Sequence, residues 1–191
     1  MFSLQNLNFK YDDWIFRDAT CNIRCKKVGI IGGNGIGKTT LLHLLNRDLE
    51  PESGEITLPG NTYFVDFTTK NYMYFTPREL ISLCVNLNSF EDVFEELVGV
   101  LNFDGMLDVC LNKLSLGNLK KVFLMLGLAS KSSVVLLDEP FENLDEKTNQ
   151  NLTQYISACD KDMVIVSHNI SLLRSCVDEV YEVADRTLVL R

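Results

Sequence analysis

The 191-residue sequence predicts an α/β fold with a mostly parallel sheet. Three short apolar runs, Val28 to Ile31, Val134 to Leu137 and Met163 to Val166, each stop abruptly at polar or glycine-rich sequence, as buried parallel strands do. Helical patterns lie between them, which is the alternation of an α/β domain. The segment ahead of the first glycine-rich loop differs: Phe2, Leu4, Leu7 and Phe9, then Ile15, Ala19 and Ile23 alternate with polar neighbours. That period of two predicts an antiparallel β layer flanking the main sheet. Ligands in such folds bind outside the carboxyl ends of the strands, so the residues that follow each run are the candidates for chemistry.

Residues 76–130 turn helical and predict a small helical subdomain inserted in the core, leaving residues 1–191 as one domain. Thr76-Pro77-Arg78-Glu79 is a capping box with proline at the first helical position. Ser89 is the expected cap of a second helix, on which Phe90, Val93, Phe94, Leu97, Val98 and Leu101 share one face. Glu91, Asp92, Glu95 and Glu96 take the other. This is the pattern of an amphipathic helix with a solvated acidic face, and no role is assigned to the acids.

A net charge of -8 argues against a nucleic-acid partner, which needs clustered Lys and Arg. The six cysteines, Cys21, Cys25, Cys84, Cys110, Cys159 and Cys176, lie mostly in apolar segments. The close pair Cys21 and Cys25 lacks the second pair that a metal site requires, so reduced core thiols are expected. The longest apolar stretch, Val122 to Ala129, falls far short of the ~20 residues that span a bilayer. The N-terminus has no basic segment followed by an apolar run, and a cytosolic location is the expectation.

The first strand run leads into Gly32, Gly33, Asn34, Gly35, Ile36, Gly37, Lys38 and Thr39, the spacing of a P-loop, with Thr40 following as a helix opens through Leu41, Leu44 and Leu45. Glycines let successive backbone N–H groups turn inward around phosphate oxygens, and the helix N-terminus adds positive potential. Lys38 then pairs with the β and γ phosphates, and the Thr39 hydroxyl is an expected Mg²⁺ ligand. His43, inside that helix, reads as a packed or surface histidine. The second run ends in Asp138 and Glu139: Asp138 is expected to hold Mg²⁺ directly or through water, and Glu139 to polarise the attacking water.

The remaining motifs narrow the family. Leu114-Ser-Leu-Gly-Asn118 precedes a helix, Glu139-Pro-Phe-Glu-Asn-Leu-Asp145 follows the second run, and Ser167-His168 follows the third. Together with the P-loop they resemble ABC ATPases over nearly the whole chain. The resemblance implies a head-to-tail dimer of two cassettes sandwiching two ATPs, each between the P-loop of one subunit and the signature segment of the other. It implies that an aromatic after the first strand stacks on adenine, a place held by Tyr11 with Trp14 as rival. It further implies that Ser115 and Gly117 meet the partner's γ-phosphate, that Asp145 communicates across the dimer, and that His168 contacts the γ-phosphate.

Two positions depart from the family pattern. Leu116 stands where the signature has glycine, adding bulk where the backbone must approach another subunit's nucleotide. In Tyr63-Phe-Val-Asp-Phe67, Asp66 stands where the family has a glutamine that reaches Mg²⁺; a carboxylate is also a hard oxygen ligand, and Asn71 is an alternative. The function implied is the ATP-hydrolysing subunit of a transporter, driving a separate integral membrane permease from the cytoplasmic face. The alternative is a soluble ABC ATPase of the translation-factor or repair kind.

Overall fold

The computed structural model describes residues 2–67, 72–86 and 93–191. The expected antiparallel layer is a sheet of β1 (Phe2–Lys10), β2 (Trp14–Ile23) and, beyond the main-sheet strand β3 (Lys27–Ile31) and helix α1 (Lys38–Leu45), β4 (Ser53–Thr57). Its order is β2-β1-β4, with Leu4 facing Cys21 on one side and Ile56 on the other.

The chain then builds β5 (Thr62–Val65), α2 (Pro77–Asn86), α3 (Phe94–Val100), a 3-10 turn at Leu111–Lys113, and α4 (Leu116–Ala129). It returns to the sheet through β6 (Val134–Asp138), α5 (Glu146–Ala158), β7 (Asp162–Val166), α6 (Ile170–Arg174), β8 (Glu179–Ala184) and β9 (Thr187–Leu190). The main sheet runs β5-β6-β7-β3-β8-β9, parallel except for the last pair. All three apolar runs are therefore adjacent central strands, β6-β7-β3, and their carboxyl ends meet at one edge.

Alternation along these strands divides the core. Val28, Ile30, Val134, Leu136, Val164 and Val166 face α1 and the antiparallel layer, packing with Leu41, Leu44, Phe9 and Phe16. Val135, Leu137, Met163 and Ile165 face the helical side and pack with Leu124, Leu128, Leu152 and Ile156. Burying each such side chain contributes about 1.5–3 kcal/mol, which fixes strand register on both faces.

The helical segment follows its sequence signals where it is described. The Thr76 amide donates to Glu79 Oε2 at 2.8 Å, and the Glu79 amide returns to Thr76 Oγ1 at 3.2 Å, a closed capping box. Phe94, Leu97 and Leu101 are buried while Glu95 and Glu96 are exposed, as the amphipathic pattern predicts. The expected Ser89 cap, with Phe90, Glu91 and Asp92, lies outside the described residues, and so does Asn71. α3 is described from Phe94, with Val93 at its N-cap position and no side-chain cap bond. The six cysteines are free, and burial pushes the Cys21 thiol up to about 11.

Candidate nucleotide site

The P-loop leaves β3 and enters α1 through Gly37, whose φ of 110° is left-handed. A side chain there is doubly excluded, because a Cβ would fall well inside van der Waals contact of Ile15 from the antiparallel layer. The antiparallel layer thus packs directly against the start of α1. Gly33, Asn34 and Gly35 are exposed, presenting the loop to solvent. Lys38 is buried and curls under the loop, its Nζ donating to the carbonyls of Gly32 at 3.0 Å and Gly33 at 2.9 Å.

β6 delivers the two acids to the same place. Thr39 Oγ1 donates to Asp138 Oδ2 at 2.6 Å, joining the start of α1 to the end of β6. Asp66, just after β5, lines the same cavity of about 460 Å³ with Thr39, Asp138 and Glu139. A hydroxyl beside a carboxylate, with a second carboxylate on the rim, is a donor set of hard oxygens that fits Mg²⁺.

Glu139 is the strained member, with φ of 50°. Its amide donates to the Val166 carbonyl on β7 at 2.9 Å. Its carboxylate is held by His168: the His168 amide donates to Oε2 at 3.0 Å, and the imidazole Nε2 stands 3.3 Å from Oε1. The imidazole is near enough for electrostatic attraction but off the line of a hydrogen bond, so Oε1 is a buried acceptor without a hydrogen-bond partner. Burial pushes this carboxyl above its ordinary range, against the pull of His168 and with reinforcement from Glu142 and Asp138. Spare accepting capacity on this carboxylate is what activation of a water requires, once a water is admitted within hydrogen-bond reach of it.

The other expected residues sit further out. Ser115 caps α4, accepting from the Asn118 amide at 3.2 Å. Leu116 opens that helix with 77% of its surface exposed. Gly117 has a reason within this chain that the sequence did not disclose: a Cβ would collide with the Asn143 carbonyl. Asp145 caps α5, taking the Thr148 amide at 2.9 Å and the Thr148 hydroxyl at 2.6 Å, and these bonds bring its carboxyl down to about 2. Tyr11 is exposed on the turn after β1, its ring edge-on to Phe9 at 5.1 Å. The rival Trp14 lies under the Lys10 ammonium, 5.3 Å from its centroid. His43 contacts Asp48 at 3.0 Å and the edge of Phe64, as a packed surface histidine does.

Sequence reasoning passed over Lys120, Lys121 and Phe67. The two lysines are buried on α4, Lys120 donating to the Glu139 carbonyl and lying 4.7 Å from the Phe67 ring centroid. The available signal was a lysine pair running directly into the apolar stretch of α4, a place where charge is costly.

The ABC transporter family profile matches residues 18–142, well over half of the chain. The chain belongs to the ABC transporter family. As an ABC cassette it is an ATP-hydrolysing domain. Over 98% of its length it is 30% identical to the ribosome protection protein VmlR of Bacillus subtilis, of which it spans 32%. It is 27% identical, over 99% of its length, to a protein of Clostridium acetobutylicum named as an ABC transporter ATP-binding protein, of which it covers 77%. The chain thus spans about a third of the one relative and most of the other. The dimeric ABC transporter cassette MJ0796 matches the fold with a TM-score of 0.82 at 21% identity, over 98% of this chain and 96% of that one.

Proposed function

We propose that this chain is a transporter motor: one cassette domain over residues 1–191, with a helical lobe at 76–130, that pairs head to tail with a second cassette and drives a separate membrane permease. The observation that carries the catalytic half is the unused, buried Oε1 of half-buried Glu139, beside the Thr39–Asp138 pair. Glu139 takes the proton of the attacking water. Lys38 and the loop amides of residues 32–40 bind the phosphates, and Tyr11 stacks on the base. Thr39, Asp138 and Asp66 would hold Mg²⁺, which would supply positive charge against the charge developing on the phosphates. His168 orients Glu139 and reaches the γ-phosphate, while Ser115 and Gly117 serve the partner's nucleotide and Asp145 lies between the two sites.

The transport half rests on the relative covered over most of its length, and on an exposed apolar cluster. Tyr72, Tyr74 and Phe75 are exposed, Tyr74 at 86%, next to the segment that carries Asp66. Exposed aromatics of this kind mark a contact surface, here for the permease, at the cytoplasmic face of the membrane. No helix among the described residues is long and apolar enough to cross a membrane. A second reading, a ribosome-associated cassette without a permease, draws on the similarity to VmlR.

Affinity purification from membranes and from ribosome pellets in parallel tests the choice. Transport predicts a multi-helix membrane protein bound to the cassette and lost on Tyr74→Ser. Enrichment with ribosomes, with no membrane protein bound, would establish the second reading.

A further inference from the structure

Helix α4 begins at the signature segment and carries two consecutive lysines, Lys120 at 8% exposure and Lys121 at 6%. Lysines are seldom buried, because an ammonium out of water must be compensated by its neighbours, so the partners show what the burial serves. The two side chains diverge. Lys121 Nζ stands 3.6 Å from Asp145 Oδ2 and donates to the Asn102 carbonyl at 3.5 Å. Lys120 Nζ donates to the main-chain carbonyl of Glu139 and lies against the face of Phe67. Between them, Gly117 sits directly on the Asn143 carbonyl. The first two turns of α4 therefore grip residues 139–145 at both ends and in the middle.

We propose that Lys120 is a positioning residue for ATP hydrolysis: its ammonium fixes the Glu139 peptide, and through it the carboxylate, in register with the signature segment on the same helix. The inference rests on the reading of Glu139 as the base. Glu139 holds a left-handed φ of 50°, which a residue with a side chain keeps only when its surroundings enforce it. Its amide is secured by β7 through the Val166 carbonyl. On the other side the carbonyl is held by Lys120 and by a longer bond from the Glu142 amide at 3.3 Å. Without Lys120 the peptide is anchored firmly on one side only.

The charge matters as well as the length. Burial lowers the Lys120 pKa from its ordinary value, and the fields of the Glu142, Glu139 and Asp138 carboxylates oppose that pull without cancelling it. The Phe67 face adds a cation–π contact. Phe67 directly follows Asp66, so three segments meet at one ammonium: the turn after β5, the end of β6 and the start of the signature helix. A shift of α4 as a partner subunit engages Ser115 would be felt at Glu139 through this contact.

The test compares Lys120→Met, Lys120→Arg and wild type in steady-state ATP hydrolysis, together with amide hydrogen exchange across residues 139–143. Lys120→Met is expected to lower kcat by about tenfold or more, since small misplacement of a reacting group costs up to ~100-fold. KM for ATP is expected to stay within about twofold, as no phosphate contact is removed. Exchange at 139–143 rises in the Met variant, and Lys120→Arg restores both readouts. Unchanged exchange, equal behaviour of Met and Arg, or a loss confined to KM would overturn the proposal. Exchange does not depend on turnover, so it decides the role of Lys120 even if wild type hydrolyses no ATP, an outcome that would instead refute the reading of Glu139. Lys120→Gln, which keeps a donor, serves where the Met variant does not fold.

Discussion

His168 holds Glu139 at two points, donating its main-chain amide to Oε2 at 3.0 Å while its imidazole stands 3.3 Å from Oε1. The contact joins the turns that immediately follow β6 and β7, so the carboxylate is tied to the adjacent ends of two paired strands. Replacing Glu139 with Gln keeps the shape and the His168 amide bond but removes the proton acceptor. Turnover is expected to fall by at least ~100-fold, the span of general-base contributions, with ATP binding retained. Radiolabelled ATP hydrolysis beside equilibrium binding checks both halves, and wild-type turnover in Glu139→Gln would exclude the assigned role.

Lys38 lies on a different element and fails differently. Its ammonium sits beneath the loop on the carbonyls of Gly32 and Gly33, within the proposed phosphate cradle. Lys38→Ala is expected to weaken ATP affinity by roughly tenfold or more, since a charge-assisted contact is worth about 1.5–3 kcal/mol. Titration calorimetry with the slowly turning Glu139→Gln background isolates binding from hydrolysis. Equal affinity with and without the lysine would count against the phosphate cradle.

Asp145 allows a stability test free of nucleotide. Both carboxylate oxygens serve Thr148, one on its amide and one on its hydroxyl, and Lys121 adds a cation at 3.6 Å. Its folded pKa is depressed, from 3.8 to about 2, chiefly by the Thr148 bonds. The stabilisation is therefore present above the unfolded value and is lost as the pH falls from 3.8 through about 2. Asp145→Ala is expected to cost about 1 kcal/mol at neutral pH, the usual worth of an N-cap. Asp145→Asn should retain most of the cap while losing the acid dependence. Thermal unfolding of the three proteins between neutral and acid pH separates these cases.

The strands and the acids were legible because apolar runs that end in Gly32 or Asp138 state both a buried strand and the place where burial stops. The Thr76 box was legible for a similar reason, being closed within four residues. What escaped was long-range. Lys120 meets Glu139, and Gly117 meets Asn143, only because α4 crosses the end of β6, and no local period encodes that crossing. Asp145 shows a further ambiguity: an acid three residues before a threonine is a helix cap on local grounds, whatever it also does across a dimer.

Leu116 is the departure with the clearest consequence. It is the first residue of α4, 77% exposed, directly between Ser115, which caps the helix, and Gly117, which is pinned to Asn143. Because both neighbours are held within the chain, the main chain at the leucine has little freedom to retreat, and its bulk projects from the surface proposed to meet another subunit's nucleotide. In a homodimer both composite sites would carry it; in a heterodimer only one would. Leu116→Gly removes the side chain at the helix terminus, where the propensity loss stays below about 1 kcal/mol, so folding should be almost unchanged. If the leucine hinders closure, the variant dimerises more tightly with ATP and turns over faster as a homodimer. Size-exclusion chromatography of Glu139→Gln with and without Leu116→Gly, at graded ATP, reads the dimerisation, and steady-state hydrolysis in the otherwise wild-type chain reads the rate. No gain in either would mean that the partner surface has room for the leucine and that the slow step lies elsewhere.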